Sequence, residues 1–220
     1  MPGSFNFEFF RHVVVTMIAL ILSITVHEFG HALLADKLGD PLPRSQGRVT
    51  LNPLAHIDPL GTVILPIMGL IFAGGAVGWG RPVMIQPVAF TRKLRMKTAH
   101  MVVAVAGPFM NIIFGMVVSL IAVGLLRSGL VENVEIIRAL FGVVSLNFFL
   151  AFFNLLPFPP LDGGAVLAGI LPDRSPIVAF LERYGVYLAI VVIALPFTRV
   201  LYAFPAELLF SLWLRVLGVR

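Results

Sequence analysis

The sequence predicts an all-α polytopic membrane protein, with about five to six transmembrane helices, a re-entrant segment and short membrane-associated β-strands. Three observations carry that prediction. Hydrophobic residues fill 59% of the 220 positions and charged residues only 12%, where a soluble domain carries about a quarter charged residues. The apolar residues gather into runs of the length a helix needs to cross a bilayer core, about 20 residues. The connections between them are too short to build a separate soluble domain. Residues 1–220 therefore read as one membrane-integral unit, with a core over about 10–171 and C-terminal helices over about 176–217.

The first run, at about 10–35, is too long for a cleaved signal core and is interrupted by His and Glu, so it reads as a retained helix. The run at 59–78 contains Gly61, Pro66, Gly69, Gly74, Gly75 and Gly78. That composition suits a shallow or re-entrant path, tolerated where protein covers the backbone. Runs at 98–126, 135–156 and 176–196 have clear spanning length. The last, at about 199–217, is flanked or interrupted by Arg199, Glu207 and Arg215; it either spans or lies in the interface. Two polar connections hold short alternating stretches, Arg48–Leu51 and Val83–Gln86, bracketed by Gly, Pro and Asn, which favours strands over helix.

The net charge is +5, and Arg92, Lys93, Arg95 and Lys97 make one connection the most basic stretch of the chain. Placed between apolar runs, this cluster is a topology signal and an attraction to anionic headgroups, not a nucleic-acid surface. It assigns that connection to the cytoplasm. Cysteine is absent, so a metal ion would have to be held by His, Asp or Glu.

Such residues occur inside the first run as His27-Glu28-Phe29-Gly30-His31. Histidines spaced i, i+4 project from one helical face about one turn apart, so both imidazoles can reach a single zinc ion. Glu28, one position on, can reach a water on that ion and act as general base. Ionisable groups deep in a membrane helix cost about 2.5–3.5 kcal/mol each on insertion scales, which makes packing alone a poor reason for all three.

Catalytic zinc takes three protein ligands and keeps a fourth position for water. His12 and His100 both sit at the starts of apolar runs and read as interface residues. Asp162 follows Leu156-Pro157-Phe158-Pro159-Pro160-Leu161 and precedes Gly163-Gly164. The prolines stop the helix and force an extended path, and the glycines allow close backbone approach. Alone, Asp162 reads equally as a helix N-cap or as a ligand; beside H-E-x-x-H, the ligand reading leads.

Together, His27–His31 and Asn154-Leu155-Leu156-Pro157 through Leu161-Asp162-Gly163 resemble the site-2 protease family of intramembrane zinc metalloproteases. The segments Asn52–Gly61, Gly78–Val83 and Ala106–Asn111 are similar to its small prokaryotic branch, without a PDZ or nucleotide-sensing domain. The resemblance covers residues 20–170 or so. It implies one zinc ion held by His27, His31 and Asp162, with Glu28 as base and Asn154 contacting the substrate or its oxyanion. It further implies a transmembrane protein substrate and a cell membrane as location. Asn52 and His56, in the polar connection, are candidates for substrate binding, and His56 for gating access or transiently ligating zinc. Read on its own residues, Asn154 serves equally in helix–helix hydrogen bonding, and His56 in stabilising a turn. A membrane transporter using intramembrane His and carboxylates is the competing function; it predicts charges spread along several helices.

If His27, His31 and Asp162 meet at one depth, the helices that end beside them run in the same direction. With the basic connection cytoplasmic, the 98–126 helix runs outward, and the first and fourth runs run inward toward a cytoplasm-proximal site. The 59–78 run then begins and ends on one side.

Overall fold

The computed structural model describes residues 7–72, 76, 78–91, 94–172 and 174–219. Five helices are long and apolar enough to cross a membrane: α1 (Phe7–Lys37), α4 (Met96–Ser128), α5 (Val134–Asn154), α7 (Pro176–Ala194) and α8 (Val200–Val216), the last extended by a 3-10 turn over Pro196–Arg199. The protein is an integral membrane protein of all-helical build. Shorter pieces lie between the long helices. They are α2 (Leu42–Ser45), a 3-10 turn at Pro53–Ala55, π-helical turns Pro59–Ile64 leading into α3 (Leu65–Phe72), a 3-10 turn at Pro87–Ala89, and α6 (Asp162–Ile170).

Three helices set the frame. The His31–Val103 and His27–Asn111 hydrogen bonds run α1 antiparallel to α4. Arg11 pairs with Glu135 at 3.2 Å, and Asn147 Nδ2 donates to Ser23 Oγ at 2.9 Å. Both pairs are 124 residues apart, so α1 and α5 run parallel in a constant register, as the shared-depth argument requires. Helix α8 runs parallel to α4, with Trp213 Nε1 donating to Ser119 Oγ at 2.6 Å and the Arg127 guanidinium donating to the Leu217 carbonyl.

Lipid supplies no hydrophobic drive between helices, so close packing of small residues has to hold them. At the α1–α4 contact Ala32, Ala35 and Ala99 are fully buried. A Cβ on Gly30 would stand 2.6 Å from the Ala106 carbonyl oxygen. A second core joins α4, α5 and α8 through Val118, Val144, Phe148 and Ala206, with Phe148 and Phe210 edge to face at 6.3 Å.

The expected strands are corrected. Among the described residues there is no strand, and Arg48–Leu51 and Val83–Gln86 are extended or bent without a ladder. Buried side chains anchor the backbone in and around them instead. The Arg48 guanidinium donates to the carbonyls of Ala55, Arg81 and Pro82. Asp40, fully buried, accepts from Leu42 N at 2.9 Å and Gln86 N at 2.5 Å. Pro82 and Pro87 remove further donors. Alternation and turn residues describe an extended path; they do not supply a partner strand.

Residues Pro59–Phe72 form an apolar helix too short to count among the candidate spans. Its entry and exit are tied together: Trp79 N donates to Gly61 O at 3.1 Å, Thr62 Oγ1 to Trp79 O at 2.8 Å, and Arg81 N to His56 O at 2.8 Å. Gly74 and Gly75, within the Gly-rich run, lie outside the described residues, as do Arg92 and Lys93 of the basic cluster.

Gly30→Val is expected to overpack the α1–α4 contact and destabilise the fold by about 1–3 kcal/mol. Gly142→Val, where a Cβ meets nothing within 4 Å, should leave the thermal midpoint in detergent unchanged. Equal midpoints for the two variants would contradict the packing described.

Candidate metal centre

Helix α1 presents His27 and His31 on one face, as their spacing dictates. Their Nε2 atoms lie 3.1 Å apart. Asp162 enters from the start of α6, with Oδ2 3.2 Å from His27 Nε2 and Oδ1 3.3 Å from His31 Nε2. Among the described residues these three are the group whose ligand atoms converge tightly enough to hold a metal ion. The N-cap alternative for Asp162 does not apply. Leu161 occupies the cap position and Asp162 is the first helical residue. The Pro159–Pro160 bond is cis. Gly163 and Gly164 let the chain fold back onto α5: a Cβ on Gly164 would meet Pro159 N at 2.5 Å, and one on Gly163 would collide with the Leu155 and Leu156 carbonyls.

Hydrogen bonding fixes which ring nitrogens carry protons. Asn147 Nδ2 donates to Val143 O at 2.8 Å, which fixes the orientation of that amide. Asn111 Nδ2 donates to Ser23 O at 3.0 Å and Asn147 Oδ1 at 2.8 Å, so Asn111 Oδ1 is the atom 2.7 Å from His27 Nδ1. An amide oxygen only accepts, hence His27 Nδ1 bears the hydrogen. His31 Nδ1 faces the Val103 carbonyl at 2.8 Å and must donate for the same reason. With Nδ1 the protonated nitrogen in each ring, both Nε2 atoms point to one place, and a carboxylate joins them there.

As neutral imidazoles and a carboxylate, the three would present lone pairs to a cation placed between them. Ligand atoms about 2.0–2.1 Å from a tetrahedral zinc stand about 3.3 Å apart, which matches the observed triangle. Asp162 Oδ2 is buried without a hydrogen-bond partner, as an atom reserved for a metal would be. Gly107 of α4 closes the cradle, for its Cβ would press on His31 Nε2 and come within 2.8 Å of His27 Cε1. The residues present fit a zinc ion.

The group opens into a cavity of about 730 Å³. Glu28 lines it, and its Oε2 accepts from Val83 N at 3.1 Å. Asn154 lines it too, but its Nδ2 donates to Leu150 O at 3.0 Å within α5. Asn52 and His56 are not among the lining residues. Exposed Asn52 caps a 3-10 turn by accepting from Leu54 N. His56 is fully buried with Nε2 on the Thr50 carbonyl at 2.9 Å, and burial pushes its imidazole below the ordinary range. His12 is exposed, as an interface residue should be. His100 differs from its expected surface role: it is half-buried and lines the cavity. Of the orienting amides, Asn147 was not singled out, and Asn111 entered only as the end of the family-like segment Ala106–Asn111, with no orienting role assigned. A signal for them exists, since an Asn inside an apolar run needs a partner within the bundle.

Asn111→Leu is expected to free the His27 ring and lower zinc affinity by about 10–100-fold, measured by chelator competition. Asn52→Ala should leave affinity unchanged. Undiminished affinity in Asn111→Leu would remove the orienting role.

The sequence profile of Peptidase family M50 matches residues 15–137 and 129–196. A Bacillus subtilis protein provisionally named zinc metalloprotease YwhC is 36% identical over 160 residues, covering 71% of this chain and 68% of its own. Rip2 of Mycolicibacterium smegmatis, likewise provisionally named a zinc metalloprotease, is 30% identical over 190 residues, or 83% of this chain and 68% of that one. Zinc metalloprotease MJ0392 of Methanocaldococcus jannaschii is 26% identical over 160 residues, covering 73% of this chain but 35% of its own. No solved structure gives a significant match. With a profile match across most of its length and relatives of this similarity, the chain belongs to Peptidase family M50, the site-2 protease family, and is a membrane-integral zinc metalloprotease.

Proposed function

We propose that the protein hydrolyses peptide bonds within or near transmembrane segments of other membrane proteins, with His27, His31 and Asp162 as zinc ligands and Glu28 as general base. The observation that carries this reading is the convergence of two imidazole Nε2 atoms and a partly buried carboxylate in a cavity that Glu28 also lines. Zinc held there supplies a Lewis acid for the scissile carbonyl and lowers the pKa of a water. Glu28 takes that water's proton on Oε1, since Oε2 is engaged by Val83 N, and delivers it to the leaving amine. Asn154, on the cavity wall, turns its amide from Leu150 O toward the developing oxyanion.

A helical substrate hides its scissile carbonyl in internal hydrogen bonds and has to unwind. Val83–Gln86 lies extended along the cavity, with Val83 and Ile85 lining it. Its ends are pinned by Arg48 and Asp40, while Met84 N and O and Ile85 N have no hydrogen-bond partner among the described residues. These free groups suit pairing with an unwound strand. His56 and Asn52 support this stretch from behind through the Arg81–His56 backbone bond and the turn that Asn52 caps.

The whole chain serves as one metalloprotease unit, with α1 to α6 as its catalytic core and α7 and α8 as further helices. In a prokaryotic cell membrane the site faces the cytoplasm, and 59–78 enters and leaves on that side. The backbone bonds between its two ends and the basic residues flanking α4 support this orientation.

Glu28→Gln should abolish cleavage of a single-span test substrate while retaining zinc, and Asp162→Ala should abolish cleavage and weaken zinc binding. Unimpaired cleavage by Glu28→Gln would overturn the mechanism. Reporter fusions at positions 45 and 90 should report the same side of the membrane; opposite sides would rule out the non-crossing path.

A further inference from the structure

A second cavity, of about 310 Å³, lies between α6, the N-terminal half of α7 and the start of α4. It shares His100, Pro160, Leu161 and Ala165 with the larger cavity, so its mouth adjoins Asp162. Leu167, Val178 and Leu181 give it apolar walls. Glu182 is the carboxylate that lines it, and no residue described pairs with that carboxylate. The neighbouring Arg183 is drawn aside, its guanidinium 5.5 Å from the centre of the Tyr184 ring. His100, on the shared wall, is the other ionisable group facing the space.

We propose that this cavity is a specificity pocket that receives a lysine or arginine side chain of the substrate, with the methylene stem along the apolar walls and the cation on Glu182. The proposal rests on the protease reading above. Its chemistry follows from placement. Lys97 Nζ donates to the Leu171 carbonyl, so the turn from α6 into α7 sits at the basic end of the bundle, and Glu182 follows in the second turn of α7. Membrane proteins carry an excess of Lys and Arg on the cytoplasmic flank of their spans. A span drawn into a site near that face therefore brings a basic residue within reach of the pocket. Long basic side chains bury their stems against apolar surface while keeping the charge on a polar partner, which is the lining found here. The pocket thus reads how close the substrate's basic flank lies to the scissile bond.

The test uses the full chain in detergent or liposomes, with a single-span substrate carrying Lys, Leu or Glu at successive positions on the cytoplasmic side of the mapped cut. Wild type should favour the Lys over the Glu substrate by about five- to tenfold in kcat/KM. Glu182→Gln should flatten that preference, Glu182→Lys should reverse it, and all three proteins should cleave the Leu substrate alike. A preference unchanged in Glu182→Lys, at every position tried, would overturn the pocket alone. Failure of wild type to cut the Leu substrate better than Glu28→Gln would overturn the protease reading beneath it.

Discussion

The hydrogen bond between Asn111 Oδ1 and His27 Nδ1, 2.7 Å long and buried, is the interaction on which the rest of the structure turns. It needs α1 and α4 antiparallel at one register, and it needs the Asn111 amide held by Ser23 and Asn147. The last requirement brings α5 parallel to α1 in the same layer. One proton position on one imidazole therefore constrains three helices. In an apolar medium an unpaired amide or imidazole is costly, so satisfying these groups stabilises the bundle while it orients His27. Scaffold and site are one network here.

The same polarity logic explains the irregular segments. Arg48 and Asp40 are buried charged residues, and each directs hydrogen bonds to backbone groups of the 81–86 stretch besides one to a neighbouring turn. Anchored at both ends, that stretch stays extended beside Glu28 without neighbouring strands. A sheet would have used up the free backbone groups of Met84 and Ile85; side-chain anchors leave them open.

Much of this was legible in the sequence, and the boundary is physical. Apolar length specified the long helices, since bilayer thickness leaves few alternatives. The i, i+4 spacing of His27 and His31 placed both rings on one face, and the demand for shared depth set α1 and α5 parallel. Asp162 was legible only in company: alone it read equally as a helix N-cap, and the H-E-x-x-H motif, short of a third ligand, tipped the reading. What sequence could not carry were partnerships made only in space. Val103 orients His31 through a backbone carbonyl that every residue possesses. Asn111 and Asn147 acquire meaning only when their helices meet. His100 read as a surface group because nothing local shows that α6 and α7 roof it over. The strands failed for the converse reason: alternation is local, whereas pairing is not.

The long reach of the His27–Asn111 and His31–Val103 bonds, 84 and 72 residues in sequence, has a consequence for biogenesis. The chain leaves the ribosome with both histidines early and their orienting groups, then the carboxylate of Asp162, much later. A nascent chain that has inserted only α1 holds two freely rotating imidazoles with no fixed tautomer. Tight ion capture then awaits insertion of everything up to α6. Metal loading thus becomes a late step in maturation, and proteolytic competence cannot precede the insertion of α6.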